Sequence, residues 1–217
     1  MPSLTQTLHP PPKRITSARR APRWTLVAAA LAAATAVLGW LVWRLPRPLP
    51  VLGTVPAFSL TERSGRPLAA ADLAGHVWVA DFIFTRCPDV CPALTTRMAD
   101  LQQQLGGTAD PVRLVSFSVD PAHDTPDVLT DYAGRAGARE AWLFVTGARD
   151  AVARLLRDGF HVAYADDGPP SAPITHSDRF VLVDRELRIR GYYHGSDRDD
   201  LARLARDAAA LRDARAR

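Results

Sequence analysis

The sequence predicts an α/β fold: a sheet buried on both faces and flanked by helices, preceded by an N-terminal transmembrane helix. Three observations lead there. Strand-length runs that are apolar almost throughout, such as Val77–Phe84 and Val112–Val119, belong to sheets covered on both faces. They alternate with segments whose apolar residues recur at spacings of three and four, the pattern of layered α/β folds. Ahead of them lie twenty residues, Trp24–Trp43, with no charge and no proline, enough at about 1.5 Å per residue to cross a hydrocarbon core of about 30 Å.

The formal net charge is +4 over 217 residues, but the charge is unevenly spread. Residues 1–47 carry seven cations (Lys13, Arg14, Arg19, Arg20, Arg23, Arg44, Arg47) and no acid, whereas residues 48–217 hold 20 cations and all 23 acids. The body is therefore mildly acidic, and nucleic-acid binding loses its main support. Residues 1–23 read as a cytoplasmic basic leader and 24–43 as a transmembrane anchor, with Trp24, Trp40 and Trp43 at interfacial positions. Five cations precede the span and two follow it, so the positive-inside rule puts residue 44 onward outside. A cleaved signal peptide is the rival reading, although its apolar region normally runs only about 7–15 residues. Pro46, Pro48, Pro50 and Pro56 favour an extended stalk over 44–56, and 57–217 is the folded domain. On either reading the domain faces an oxidising compartment, where two cysteines can pair.

Within the domain, residues 58–61 and 66–68 around Gly65 read as a small hairpin. Val77–Phe84 is a strand. Pro92–Leu105 is a helix, with Leu94, Met98, Leu101 and Leu105 on one face and Gly106-Gly107 as its stop. Val112–Val119 is a second strand ending at Asp120-Pro121, and Thr125-Pro126 opens a second helix as cap and first residue. Trp142–Thr146 is a strand and Asp150–Asp158 a helix. Arg179–Asp184 and Leu187–Tyr193 form two strands about a tight turn, and a terminal helix from Arg198 buries Leu201, Leu204, Ala208 and Leu211.

The chemistry concentrates in Phe84-Thr85-Arg86-Cys87-Pro88-Asp89-Val90-Cys91-Pro92, at the C-terminal end of a buried strand and the opening of a helix. In open α/β sheets that edge is where ligands bind. Pro92 suits the first helical position, which places Cys91 at or near the N-cap and Cys87 one turn earlier. The helix dipole and Arg86 favour thiolates there, so lowered thiol pKa values are expected, with Asp89 opposing. Two cysteines four positions apart can close a disulfide or pinch one soft metal ion, and spacing does not separate the two. A purely structural disulfide around so small a ring would stabilise weakly.

Six histidines could join them. His9 precedes the span, and His76 lies at the opposite end of the motif's strand. His194 ends a strand and His161 follows a helix. His123, in Asp120-Pro121-Ala122-His123-Asp124, and His176, in a Pro-containing loop before a strand, are the candidates for the right edge. Two thiolates with one imidazole suit copper, since thiolate is soft enough for Cu(I) and imidazole serves both Cu(I) and Cu(II). Closed zinc sites want a fourth ligand, and iron–sulfur clusters four cysteines.

The segment Asp81-Phe82-Ile83-Phe84-Thr85-Arg86-Cys87-Pro88-Asp89-Val90-Cys91-Pro92 closely resembles the signature of the Sco/SenC proteins. The likeness continues in Ser118-Val119-Asp120-Pro121, Asp124-Thr125-Pro126 and His176-Ser177, over about residues 54–195. It implies a thioredoxin-like fold in a domain tethered to the inner membrane and facing the periplasm. It also implies copper, Cu(I) or Cu(II), held by Cys87, Cys91 and His176, with Cys87 and Cys91 able to form a redox-active disulfide. Family members deliver copper to the binuclear site in cytochrome c oxidase subunit II, or reduce its cysteines. The implied partners are that subunit or another cuproprotein, together with a copper donor protein or thiol reductant. Thr175 stands where many relatives have an acid, and His123 where the residue is often charged. The expected function is that of a non-enzymatic copper metallochaperone, and a thiol–disulfide oxidoreductase is the alternative.

Overall fold

The computed structural model describes residues 23–44, 48–87, 90–108, 110–165 and 174–214. Residues 1–22 of the basic leader, 45–47, Pro88, Asp89, Ala109, the 166–173 part of the loop before His176 and 215–217 lie outside the described residues, as do the side chains of Val90, Thr175 and His176. The chain divides into two compact units after Pro48.

The first unit contains helix α1, Arg23–Arg44. Trp24, Val27, Leu31, Val37, Leu38 and Trp40 are exposed along it. Thr35 satisfies its hydroxyl on the helix's own carbonyls, donating to Leu31 and Ala32 at 3.0 and 2.9 Å. Seven of residues 24–43 are alanine, which dilutes the apolarity of the run. No helix among the described residues is long and apolar enough to cross a membrane.

The second unit begins at Leu49, eight residues earlier than the sequence suggested. Part of the segment read as a stalk is the edge of the sheet: strand β1 (Gly53–Thr54) pairs with β10 (Arg188–His194), and Val55 is buried. The Arg190 guanidinium donates to the Pro50 carbonyl at 2.9 Å and also to that of Leu49. Its charge is met by the buried Asp184 carboxylate at 2.6 Å.

The remaining elements follow the expected order. They are β2 (Ser59–Glu62), β3 (Pro67–Ala69), a one-turn helix α2 (Ala70–Leu73), β4 (Trp78–Ile83), α3 (Val90–Leu105), β5 (Arg113–Ser118), α4 (Pro126–Arg135), β6 (Trp142–Thr146) and α5 (Arg149–Arg154). The helical stretch of α5 widens into a π-turn over Leu155–Gly159. Then come β7 (Tyr164–Ala165), β8 (Thr175–His176), β9 (Arg179–Val183), β10 and α6 (Arg198–Asp213). Eight strands form one sheet in the order β1-β10-β9-β4-β5-β6-β2-β3. Strands β4, β5 and β6 are parallel and the outer pairings antiparallel, so the motif strand lies at the centre. Strands β7 and β8 form a separate two-stranded ribbon.

Successive residues of a strand face opposite ways, and β4 accordingly feeds two cores. Trp78, Ala80 and Phe82 join Phe117, Leu155 and Phe160 on one face. Val79 and Ile83 join Leu94, Met98 and Leu101 of α3 and Leu204 of α6 on the other. Each such side chain, fully buried, contributes about 1.5–3 kcal/mol. Capping fixes the helix starts. Thr125 Oγ1 accepts from the Val128 N–H at the head of α4, and Asp197 accepts from the Asp199 and Asp200 N–H groups at the head of α6.

Candidate metal centre

Strand β4 ends at Ile83 and the chain turns at once, the Cys87 N–H donating to the Phe84 carbonyl at 3.2 Å. Beyond Cys87 the chain enters α3 at Val90, so Cys91 lies inside the first turn rather than at its cap. Cys87 is half-buried and Cys91 is buried, at 1% exposure. Both are free cysteines, and Cys87 packs against the apolar cluster that contains Cys91.

The expected lowering of the thiol pKa fails at Cys91. Burial pushes that thiol well above the ordinary range; a hydrogen bond with the Phe84 backbone opposes the shift, while Cys87 and the Asp81 carboxyl add to it. A helix N-terminus favours an anion, but Cys91 packs in the apolar cluster of Phe82, Phe84 and Phe160, and desolvation outweighs the dipole. Arg86 is also not aimed at sulfur: its Nε donates to Asp120 Oδ2 at 2.6 Å.

The turn is held from the neighbouring β5–α4 loop. Asp124, with no exposed surface, accepts from the Thr85 N–H at 3.1 Å, the Thr85 hydroxyl at 2.6 Å and the Ser118 hydroxyl at 2.6 Å. Ser118 in turn accepts from the Asp120 N–H at 3.1 Å. Charge-assisted bonds of this kind are each worth about 1.5–3 kcal/mol, so Asp124 and Asp120 position the residues on which Cys87 is carried. Sequence reasoning quoted both acids, as the end of a strand, the setting of His123 and parts of a resemblance; what it missed is that their partners are Arg86 and Thr85.

Two further acids, Asp81 and Asp178, were given no role by the sequence. Asp81 faces the α3 side of β4 and is buried. Asp178 accepts from Ser196 at 2.8 Å and lies 3.3 Å from His194 Nδ1. Burial raises the Asp178 pKa, but those hydrogen bonds more than offset it and hold the carboxyl below its ordinary range.

Of the histidines, His123 lies beside the cysteine turn, its Nδ1 3.0 Å from Asp124 Oδ1. The backbone of His176 lies in β8, opposite Tyr164, rather than in a loop. Val162 and Ile174 beside this ribbon belong to the apolar cluster that contains Cys91, and Tyr164 of β7 and Cys87 pack against that cluster. His194 is at the same sheet edge, at the end of β10. His76 precedes β4 at the opposite edge, near Asp110, and His161 has a left-handed backbone, φ 51°. No group of three or more metal-ligating side chains is present among the described residues, and His176 contributes no described side chain. What is assembled is a pair of free cysteines in one apolar cluster at the C-terminal edge of the parallel strands, and two thiols are a donor set suited to a soft ion.

The family model for SCO1/SenC matches residues 50–211. The chain belongs to the SCO1/SenC family. A SCO1 protein homolog of Bacillus subtilis is 31% identical over 163 residues, covering 73% of this chain and 84% of the relative. The solved SCO1/SenC family lipoprotein of Bacillus anthracis superposes with a TM-score of 0.71 at 30% identity, over 76% of this chain and 99% of that one. BsSco, described as a member of the Sco family of cytochrome c oxidase assembly proteins and as carrying a disulfide switch, gives 0.65 at 29% over 76% and 99%. ScoI of Bradyrhizobium japonicum, solved with copper bound, shares the fold at 24% identity, with a TM-score of 0.60 over 70% and 98% of the two chains. The body is thus a thioredoxin-like Sco domain.

Proposed function

We propose that this protein is a membrane-tethered copper carrier for assembly of the binuclear copper site of cytochrome c oxidase, with copper as its cargo. One observation carries the reading: two free cysteines of a Sco domain belong to one apolar cluster where the central strand turns into a helix, one half-buried and one buried. Cys87 and Cys91 grip the ion and His176 completes the set. Each sulfur gives up its proton to solvent as it binds, and imidazole lets the set serve Cu(I) and Cu(II). The recipient is subunit II of the oxidase or another cuproprotein, and a donor protein supplies the metal.

The anchor is part of the same proposal. Its supports are the uncharged run 24–43 between five cations and two, and the internal bonding of Thr35. They favour a single span of the inner membrane with residues 57–217 in the periplasm. Alkaline extraction of membranes tests it: the full chain stays with the lipid, and release into the wash refutes the span.

Copper titration of the full chain, reduced and anaerobic in detergent, tests the carrier. One equivalent of Cu(I) binds, each Cys→Ser variant binds at least about tenfold more weakly, and His176→Ala alters the Cu(II) spectrum. Unchanged binding in Cys91→Ser ends the reading. The unequal burial of the sulfurs also suits thiol–disulfide exchange, with Cys87 attacking and Cys91 resolving. Full oxidase assembly in cells carrying His176→Ala favours that reductase role over copper carriage.

A further inference from the structure

His123 stands outside the ligand set proposed above, yet it is bonded to the carboxylate that holds the cysteine turn. Its Nδ1 lies 3.0 Å from Asp124 Oδ1 and 3.4 Å from Thr85 Oγ1. Asp124 also binds the Thr85 main chain, and Thr85 belongs to the turn closed between Phe84 and Cys87, whose ends lie within about 7 Å of each other. One buried carboxylate therefore places both the imidazole and the loop bearing the first sulfur.

A ring that donates from Nδ1 to a carboxylate carries its lone pair on Nε2, the arrangement that stands behind metal-bound histidines. His123 Nε2 has no hydrogen-bond partner among the described residues, and the side chain is 47% exposed. Cys91, by contrast, is buried. The imidazole is open to solvent where the inner sulfur is not.

We propose that His123 is a transfer ligand: its Nε2 receives copper from the incoming complex, hands it to Cys87 and Cys91, and takes it again on departure. The inference rests on the carrier reading. The step is a ligand exchange in which a copper–nitrogen bond forms as one bond to the donor breaks, and copper–sulfur bonds then replace it. Copper keeps its oxidation state, and the thiol protons pass to solvent.

Stopped-flow loading of the full chain in detergent from a coloured Cu(I)–chelator complex tests this, with equilibrium stoichiometry measured in parallel. His123→Gln keeps a donor for Asp124 but removes the copper ligand, whereas His123→Met removes the donor and offers a soft thioether. His76→Gln, at the opposite sheet edge, is the control. All variants bind one equivalent at equilibrium. Loading slows about tenfold in His123→Gln, is restored in His123→Met and is unchanged in His76→Gln. Wild-type loading by His123→Gln overturns the inference. So does a slow His123→Met, which assigns His123 to bracing Asp124 instead. A wild-type chain that binds no copper overturns the carrier reading as well; a normal equilibrium with an unchanged rate in His123→Gln overturns the transfer role alone.

Discussion

Replacing Asp81 by asparagine changes how stability depends on pH. Asp81 lies mid-β4 at 1% exposure, and neither carboxylate oxygen has a hydrogen-bond partner of full geometry. The neighbouring Ser116 hydroxyl, which already accepts from Trp142 Nε1 at 2.9 Å, offsets only part of the burial, and the carboxyl is pushed up from 3.8 to about 7. The unfolded chain loses this proton near pH 3.8 while the folded chain keeps it to about 7. The contribution of the neutral carboxyl is therefore whole below the unfolded value and is lost as pH rises through the folded one. The loss runs at about 1.4 kcal/mol per pH unit, about 4 kcal/mol over the full interval. Denaturant unfolding of the reduced, metal-free protein between about pH 5 and 8 reads this directly through the buried tryptophans. The stability of Asp81→Asn relative to wild type climbs with that slope and levels off above about pH 7. Parallel curves for the two proteins would show that Asp81 is ionised in the folded state throughout, refuting the reasoning.

Three other substitutions test the supports of the site. Asp124→Asn withdraws the charge that three donors share; it lowers stability by about 1.5–3 kcal/mol and Cu(I) affinity by about tenfold or more, read by unfolding and chelator competition. Arg190→Met leaves the Asp184 carboxylate buried with one partner fewer and costs about 3 kcal/mol near neutral pH. Burial raises the Asp184 pKa, but hydrogen bonds from Arg190 and Arg188 more than offset it and hold it below the ordinary range. That stabilisation is present above the unfolded carboxyl pKa and lost as pH falls through the folded one, so unfolding of the variant in acid depends less on pH than that of wild type. Gly195→Ala sets a Cβ 2.5 Å from Leu94 Cδ2 and 2.9 Å from the Asp178 carbonyl oxygen. Overpacking costs about 1–3 kcal/mol, and the Cu(II) spectrum shifts because Asp178 follows His176 by two positions.

The central strands and long helices are legible in the sequence because their signals are local. VWVADFIF is apolar at strand length, and Leu94, Met98, Leu101 and Leu105 mark one helical face. The prolines after Arg44 were misread for the same reason: Pro50 and Pro56 look extended in isolation, and only partners about 140 positions away, strand β10 and Arg190, show that the segment is docked. The β7–β8 ribbon is two residues per strand with an undescribed stretch between, too short for a period-2 pattern to register. Its consequence is large, because it turns His176 from a loop residue into one whose backbone is paired.

The pKa of Cys91 was inverted by a fact of the same kind. Read locally, a cysteine one residue before a helix-opening proline enjoys the dipole and a neighbouring arginine. In the fold, the arginine is spent on Asp120 and the cysteine is buried in an apolar cluster that includes Phe82, Phe84 and Phe160. The turn is closed by the Cys87 N–H on the Phe84 carbonyl, and Asp120 and Asp124 support it from outside with side-chain bonds that span 34 and 39 positions. The reactivity of the pair is therefore set by what the β5–α4 loop brings to β4, and a change at Asp124 reaches the sulfurs without touching either cysteine. A cysteine pair built this way keeps one sulfur dry and one half-exposed. The exposed one can meet a partner protein, while the buried one gains most from a cation that replaces its proton, because an uncompensated thiolate there bears the full desolvation cost.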